Sequence, residues 1–421
     1  MDRSTIDSHP HIWWSNGIFF VSVHLAALVG MYCLPPTLVS WPTLALTYAM
    51  WQLAEFGITI GYHRLWSHRA FRASMGVRFV LALLGSAGFQ GSIKWWCLRH
   101  RLHHRFTDDP IHDPYAATRG LLYSHMGWIF FKPTYTRMEL VDRDDLDRDP
   151  VVRFQHKYYI PLALFFGFAV PPLIGTLWND ALGAFIWAGL VSRLAVWHCT
   201  FFVNSLAHWD GLQPFSDENT SRGNFLLAVL TSGEGNHNFH AFPHDYRSGP
   251  WIHTWDPSKW VILLLHQFGL VYGLRQARDE DYKEALAYMN HKSLLGEPPK
   301  EDVNEESPSK SVGDSYQRWS IAVTNLYVRE HPERCFLLLN GWVVDVTLYL
   351  GEHPGGASLL RRYAIRPGED NEADDQKWLD ASWAFDGGLN NHSRAAVKRM
   401  KELRVAKIEL PEDTGLACVQ E

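Results

Sequence analysis

Eight histidines fall into four short runs, HRLWSH (His63, His68), HRLHH (His100, His103, His104), NSLAH (His208) and HNFH (His237, His240), each beside a long apolar stretch. Neutral imidazole is a ligand for iron, zinc and copper, and an apolar core has no use for so many polarisable rings unless a positive charge is there to be satisfied. Together the runs read as a metal site at a membrane surface.

Spacing sharpens that reading. His63 and His68 are five residues apart, well off one face of an α-helix, which argues for convergence on something held between helices. His100 and His104 are four apart on one helical face, with His103 beside them, in the manner of the helical two-histidine grip of metalloenzymes. His237 and His240 are three apart, again on one face, after the Gly233–Gly235 turn.

The rest of the chain must supply the helices that carry these runs. Hydrophobic residues make up 47% and 19 residues are Trp, which suits a membrane protein with wet portions. The net charge of -6 leaves no basic footprint for nucleic acid. Cys33, Cys97, Cys199, Cys335 and Cys418 are scattered without CxxC spacing, as reduced cytosolic thiols would be.

About 20 apolar residues cross a bilayer, and hydropathy marks four spans: Ile18–Cys33, Thr43–Ile60, Tyr158–Trp178 and Leu182–Val203. They pair as two hairpins with short connections. Glu55 and Arg193 are the acidic and basic side chains inside them, and an ionisable group in a span is a functional candidate. Val77–Ala87 and Trp260–Leu274 are too short to cross and read as buried or interfacial helices. The stretch from His63 to Lys157 is rich in Arg and Lys while the short connections have none, so both termini and all eight histidines are expected on the cytosolic side. Met1–Gly17 lacks a basic start followed by an apolar run, so no cleavable signal is expected.

Past Tyr288 the character changes. Residues 299–316 are polar, Pro-containing and free of large aromatics until the end, and are expected to be a disordered linker between a membrane domain, 1–298, and a small module, 317–408, followed by a tail, 409–421. In that module FLLLNGWVVDV has strand content broken by an Asn-Gly turn, and His353 and His392 are placed to ligate opposite faces of a haem.

In order and spacing, HRLWSH, HRLHH, NSLAH and GEGNHNFH, supported by RGLLYSHMGW and FPHDYRSG, resemble the membrane acyl-CoA desaturases of the stearoyl-CoA type over most of Ser15–Leu274. From about Gln317 to Ile408, EHPGG and NHS resemble a cytochrome b5 domain, and the fusion is the fungal arrangement of delta-9 desaturases. The implied fold is mainly α: four transmembrane helices under a cytosolic helical cap, plus a small α+β haem domain. The resemblance implies O2-dependent desaturation of a saturated long-chain acyl-CoA, stearoyl or palmitoyl, to its cis-delta-9 product in the endoplasmic reticulum membrane. Two irons and haem b would be the cofactors, with electrons passing from NADH through a cytochrome b5 reductase to the fused haem.

Carried over residue by residue, His63, His68, His100, His103, His104, His208, His237 and His240 match iron ligands, and Asn204 matches an asparagine that reaches the metal through water. The family's third run reads HNxHH before Phe-Pro. Here His240 is followed by Ala241, Phe242 and Pro243, so one histidine is missing and the segment is one residue shorter. Three accounts compete: water or another side chain takes that place, which is the expectation; His244 substitutes, which Pro243 disfavours; or the chain no longer desaturates. An insertion around Pro367–Lys377 lengthens the haem module, and haem binding is expected to survive it. Trp51, with Thr47 and Tyr48, is expected to close an acyl tunnel, and Lys132 and Arg119 to meet the coenzyme A phosphates. The nearest rival readings are a desaturase of other regiochemistry or a fatty acyl hydroxylase on the same scaffold. A membrane zinc hydrolase would leave the haem module without purpose.

Overall fold

The computed structural model describes residues 11–242, 244–299, 317–351, 353, 355–366, 378–388 and 392–409. The expected linker beyond residue 299, the insertion at 367–377 and the tail beyond residue 409 lie outside the described residues. The chain divides into two compact units, Met1–Glu139 with Arg143–Glu297, and Pro298–Glu421 with Leu140–Asp142.

The first unit is helical. Helix α1, Trp14–Cys33, stops before Pro35-Pro36, where the next residues cannot continue its hydrogen bonding. Helix α2, Trp41–Phe56, runs on without a break into a π-wound segment, Gly57–Ser67, whose eleven residues are all buried. Short helices α3, Met75–Ala87, and α4, Ile93–Arg105, follow, each opened by a serine (Ser74, Ser92) whose hydroxyl accepts a main-chain N–H of the first turn.

Two long helices complete the apolar part, α5 (Tyr159–Trp178) and α6 (Ala181–His208). Ahead of Pro171-Pro172 the turns of α5 widen at Phe165–Ala169, as a missing N–H and a crowded ring demand. Asp180 starts α6 by accepting from Gly183, and it also accepts from Ser40 at 3.0 Å and Thr43 at 2.6 Å, so the α5–α6 turn is tied to the first turn of α2. Three of these helices, α1, α5 and α6, are long and apolar enough to cross a membrane. Helix α2 has 16 residues before its winding changes. The expected Trp260–Leu274 segment is a helix only over Pro257–Gln267; Val271–Tyr272 instead pairs antiparallel with Arg72–Ala73.

The second unit is α+β. Its four-stranded sheet has the order Arg318–Trp319, Arg404–Ile408, Trp342–Asp345, Phe336–Leu339. The last two strands form a hairpin through Asn340 (φ 52) and Gly341 (φ 74), a positive pair that an Asn-Gly turn accommodates. Phe336 and Leu338 pack on one face with Val343 and Ala406, and Leu337 and Leu339 on the other with Val344 and Met400. Alternation along one strand thus builds two small cores.

Candidate metal centre and adjoining cavity

Three helical segments and one tight turn bring the histidine runs together. On an ordinary α-helix His63 and His68 would diverge, but the π winding of Gly57–Ser67 closes a hydrogen bond from His68 N–H to the His63 carbonyl at 3.0 Å and sets the two rings 4.6 Å apart. Helix α4 offers His100 and His104 on one face, with ring centroids 4.6 Å apart, and turns His103 aside. His237–Ala241 is a turn of 3-10 helix in which the rings of His237 and His240 stack at 5.2 Å. Gly235 lets the preceding loop lie on helix Phe225–Leu230, since a Cβ there would collide with the Ala228 main chain.

Two groups result. One nitrogen each from His63, His68, His100, His104 and His240 lie within 4.8 Å of one another, and a second such group is His103, His208 and His237. His68 Nε2 is 2.8 Å from His100 Nε2, and His63 Nε2 is 3.1 Å from His240 Nε2. Ring nitrogens facing at that distance match donors around a single ion bound at about 2 Å. Burial, reinforced by neighbouring rings, pushes His68, His100, His104, His237 and His240 well below the ordinary histidine range, so they present lone pairs at neutral pH.

Outer partners fix the tautomers. His103 Nδ1–H donates to Asp113 at 2.8 Å, and His208 Nδ1–H to the Thr220 hydroxyl at 2.8 Å, which in turn donates to Asp108 at 2.8 Å. The opposite nitrogen of His208, together with His104 Nε2 and His237 Nδ1, is buried with no hydrogen-bond partner. Orphaned acceptors of this kind, beside His103 and His208 anchored through Nδ1 on a carboxylate and a hydroxyl, suit a metal site. Beside His63, Glu234 lies 3.3 Å from Nδ1 and receives the buried Arg64 guanidinium at 2.8 Å, while Arg64 also reaches Asp256 at 3.0 Å. Burial alone would raise the Glu234 carboxyl; Arg64 outweighs it and holds the pKa down to about 2. These carboxylates are functional candidates that the histidine spacing did not disclose, although Glu234 sits within the Gly-Glu-Gly turn.

His244 belongs to neither group. It donates Nδ1–H to the His68 carbonyl at 2.6 Å, its Nε2 is buried without a partner, and burial pushes its pKa down to about 4. Pro243 lies outside the described residues.

A cavity of about 520 Å³ adjoins the first group and is lined by His63, His100, Asn204 and Glu234, and further along by Phe19, Phe20, Phe89, Trp197 and Phe201. Helix α2 and its extension contribute Glu55, Ile58 and Thr59; Trp51, half-buried, stands one turn before Glu55 and, like Thr47 and Tyr48, is not among the residues that line the cavity. The cations that line the cavity are Arg99 and Lys157. Arg99 is sandwiched between Trp95, at 4.0 Å, and Trp128, at 4.4 Å. Arg119 and Lys132 are exposed and do not line it; Arg119 lies over the Tyr123 ring at 3.6 Å.

In the second unit the rings of His353 and His392 lie 6.4 Å apart and 23° from parallel. Nδ1 of His353 is 3.3 Å from the Gly356 carbonyl and Nδ1 of His392 is 2.8 Å from that of Phe385.

Residues 36–253 match a family model described as fatty acid desaturase. A "Probable acyl-CoA desaturase" of Schizosaccharomyces pombe is 36% identical over 400 residues, 94% of this chain and 78% of the relative. "Acyl-CoA desaturase 1" of Saccharomyces cerevisiae is 34% identical over 420 residues, 97% and 76% of the two chains. "Delta(9)-fatty-acid desaturase fat-5" of Caenorhabditis elegans is 36% identical over 276 residues, 64% of this chain and 82% of the relative.

Proposed function

Because the chain belongs to the fatty acid desaturase family and is an acyl-CoA desaturase, an oxidoreductase of lipid metabolism, we propose that it introduces a cis double bond at carbon nine of a saturated long-chain acyl-CoA. The observation that carries this reading is the contact of one cavity, apolar for much of its length, with His63, His100 and Asn204. The regiochemistry rests on the delta-9 type among its relatives.

In this proposal the five-histidine group would hold one iron and the three-histidine group the other, and Asn204 would act through water. Bound there, the irons supply the oxidising power, drawn from dioxygen, that an unactivated methylene pair demands. The balance is one acyl chain, one dioxygen, two electrons and two protons giving one alkene and two waters. Asp113, Thr220 and Asp108 keep His103 and His208 in the tautomer that presents Nε2 to the metal. Apolar walls orient the chain and exclude bulk water. Arg99 and Lys157 meet the polar end of the substrate, with Arg119 and Lys132 as candidate contacts for the coenzyme A phosphates.

The second unit is proposed to be a cytochrome b5-like domain at 317–408, joined to the membrane domain, 1–298, by the linker at 299–316. Two imidazoles on one iron, with bonds of about 2 Å each, require ring centres roughly 6 Å apart, and the 6.4 Å between His353 and His392 supports that use. Electrons from NADH would arrive through a flavin reductase, and the tether would make their delivery effectively intramolecular. The membrane reading counts four spans, with Thr43–Ile60, carried by α2 and the start of its π-wound extension, as the second, places the histidines and both termini in the cytosol, and assigns the endoplasmic reticulum.

Expression in a desaturase-deficient yeast tests the reaction. Growth without oleate and a delta-9 product by gas chromatography and mass spectrometry are expected. A hydroxylated product, or a double bond elsewhere, would replace the delta-9 assignment; no product from a protein loaded with haem and iron would refute the reading.

A further inference from the structure

Glu55 is a carboxylic acid in the wall of a cavity that the reading above fills with hydrocarbon. It is 2% exposed, it lies within an apolar stretch of α2, and its Oε1 has no hydrogen-bond partner. One turn earlier on the same helix the Trp51 indole Nε1 is also buried without a partner. The Trp51 indole and the Cys199 thiol are polar neighbours of the carboxyl, yet no bond of acceptable geometry satisfies either orphan. A buried carboxyl oxygen left unpaired in the cavity wall is costly, and an acyl chain made only of methylenes would leave it so.

One small group satisfies that oxygen. A hydroxyl donates its single proton to the carboxyl oxygen. Position narrows where along a substrate such a hydroxyl would lie. Glu55 precedes His63 by eight residues, no more than about 12 Å along the helix. The cavity's cations, Arg99 and Lys157, lie outside the apolar stretches, whereas Glu55 lies inside one. The head group therefore belongs with the cations and the methyl end with Glu55.

Resting on the acyl-CoA reading, we infer that this cavity selects long acyl chains oxygenated near the methyl end, with Glu55 as the residue that recognises the hydroxyl. A site built to bond a hydroxyl discriminates strongly against the analogue that lacks it, because the buried partners are then stranded.

The test compares stearoyl-CoA with ω-hydroxystearoyl-CoA on the purified full-length protein, by equilibrium binding and separately by turnover. The wild type is expected to bind the hydroxylated chain at least tenfold more tightly. Glu55→Leu should reverse the order, and Glu55→Gln, which can still bond a hydroxyl, should keep it. Equal binding, or preference for stearoyl-CoA, by the wild type overturns the inference whether or not the variants fold. Failure to form a double bond in either substrate counts against the desaturase reading and leaves the binding comparison to decide this one.

Discussion

The main-chain N–H of His68 donates to the carbonyl of His63, five residues back, at 3.0 Å. That bond is π-helical, and it turns two histidines that an α-helix would separate into neighbours whose rings are 4.6 Å apart. The winding starts at Gly57, where a Cβ would collide with the main chain of Gly85 in α3. Gly57→Ala is therefore expected to push α3 away from the π-wound segment. A destabilisation of about 1–3 kcal/mol, read as a lowered unfolding temperature, should accompany a loss of bound iron. An unchanged unfolding temperature would show that the helices absorb the methyl.

Asp113 acts at one remove. It accepts from His103 Nδ1 and from two main-chain N–H groups, those of Asp108 at 3.0 Å and Tyr115 at 3.0 Å. Asp113→Asn keeps an acceptor and removes the charge, whereas Asp113→Ala removes both. Affinity for the metal is expected to fall about 10- to 100-fold, more in the alanine variant. Iron retained per chain after dialysis against a graded chelator measures it; wild-type retention in both variants would remove Asp113 from the site.

Acid should weaken the protein through Asp145, which pairs with Arg101 at 2.7 Å and Arg69 at 3.0 Å. Burial opposes its ionisation, but hydrogen bonds and charge from Arg101 and then Arg69 hold the carboxyl well below its ordinary 3.8. A depressed carboxyl contributes its full stabilisation above the unfolded-state value and loses it as pH falls toward the folded-state value. Asp145→Asn should thus lower the unfolding temperature by a constant amount above pH ~5, and the gap should close as pH falls below ~4. A gap that persists at low pH would mean that packing, not charge, is what the substitution removes. The carboxylate is partly exposed, so the effect should be small and salt-sensitive.

Much of this architecture is legible in the residue order, and what is not has physical reasons. Apolar runs mark α1, α5 and α6 because a lipid-facing helix must be apolar over its length, and Asn340-Gly341 marks its hairpin because the turn needs two positive φ angles. The π winding leaves no trace in periodicity, since all of Gly57–Ser67 is buried and shows no polar face to count. The sorting of His103 away from His100 and His104 is a tertiary outcome: its partner Asp113 and its neighbours His208 and His237 come from elsewhere in the chain. Arg99 was hidden for another reason. It reads as one of many cytosolic cations until Trp95 and Trp128 are seen on either side of it.

The haem proposal turns on a pair of rings. His353 and His392 are near-parallel at 6.4 Å, and each has its Nδ1 against a main-chain carbonyl. Purified protein is expected to show the absorbance spectrum of a bis-histidine haem, and His353→Ala or His392→Ala to lose it. Both variants should keep their non-haem iron and lose NADH-driven product formation. Product formation at the wild-type rate would detach the second unit from electron supply.

The shortened third histidine run has a sharper test. His240 places Nε2 3.1 Å from His63 and belongs to the five-histidine group, whereas His244 is hydrogen-bonded to the His68 carbonyl and stands outside both groups. If the site works with the histidines grouped in this way, His240→Gln should lower bound iron substantially, to about one ion where the wild type holds two. His244→Gln should retain the wild-type iron content and lose only the bond that braces His68, a change of roughly 1 kcal/mol in stability. Metal analysis of the purified variants decides between them. Iron lost on His244→Gln and kept on His240→Gln would show that the missing histidine has been replaced from beyond Pro243, and that His244, not His240, completes the centre.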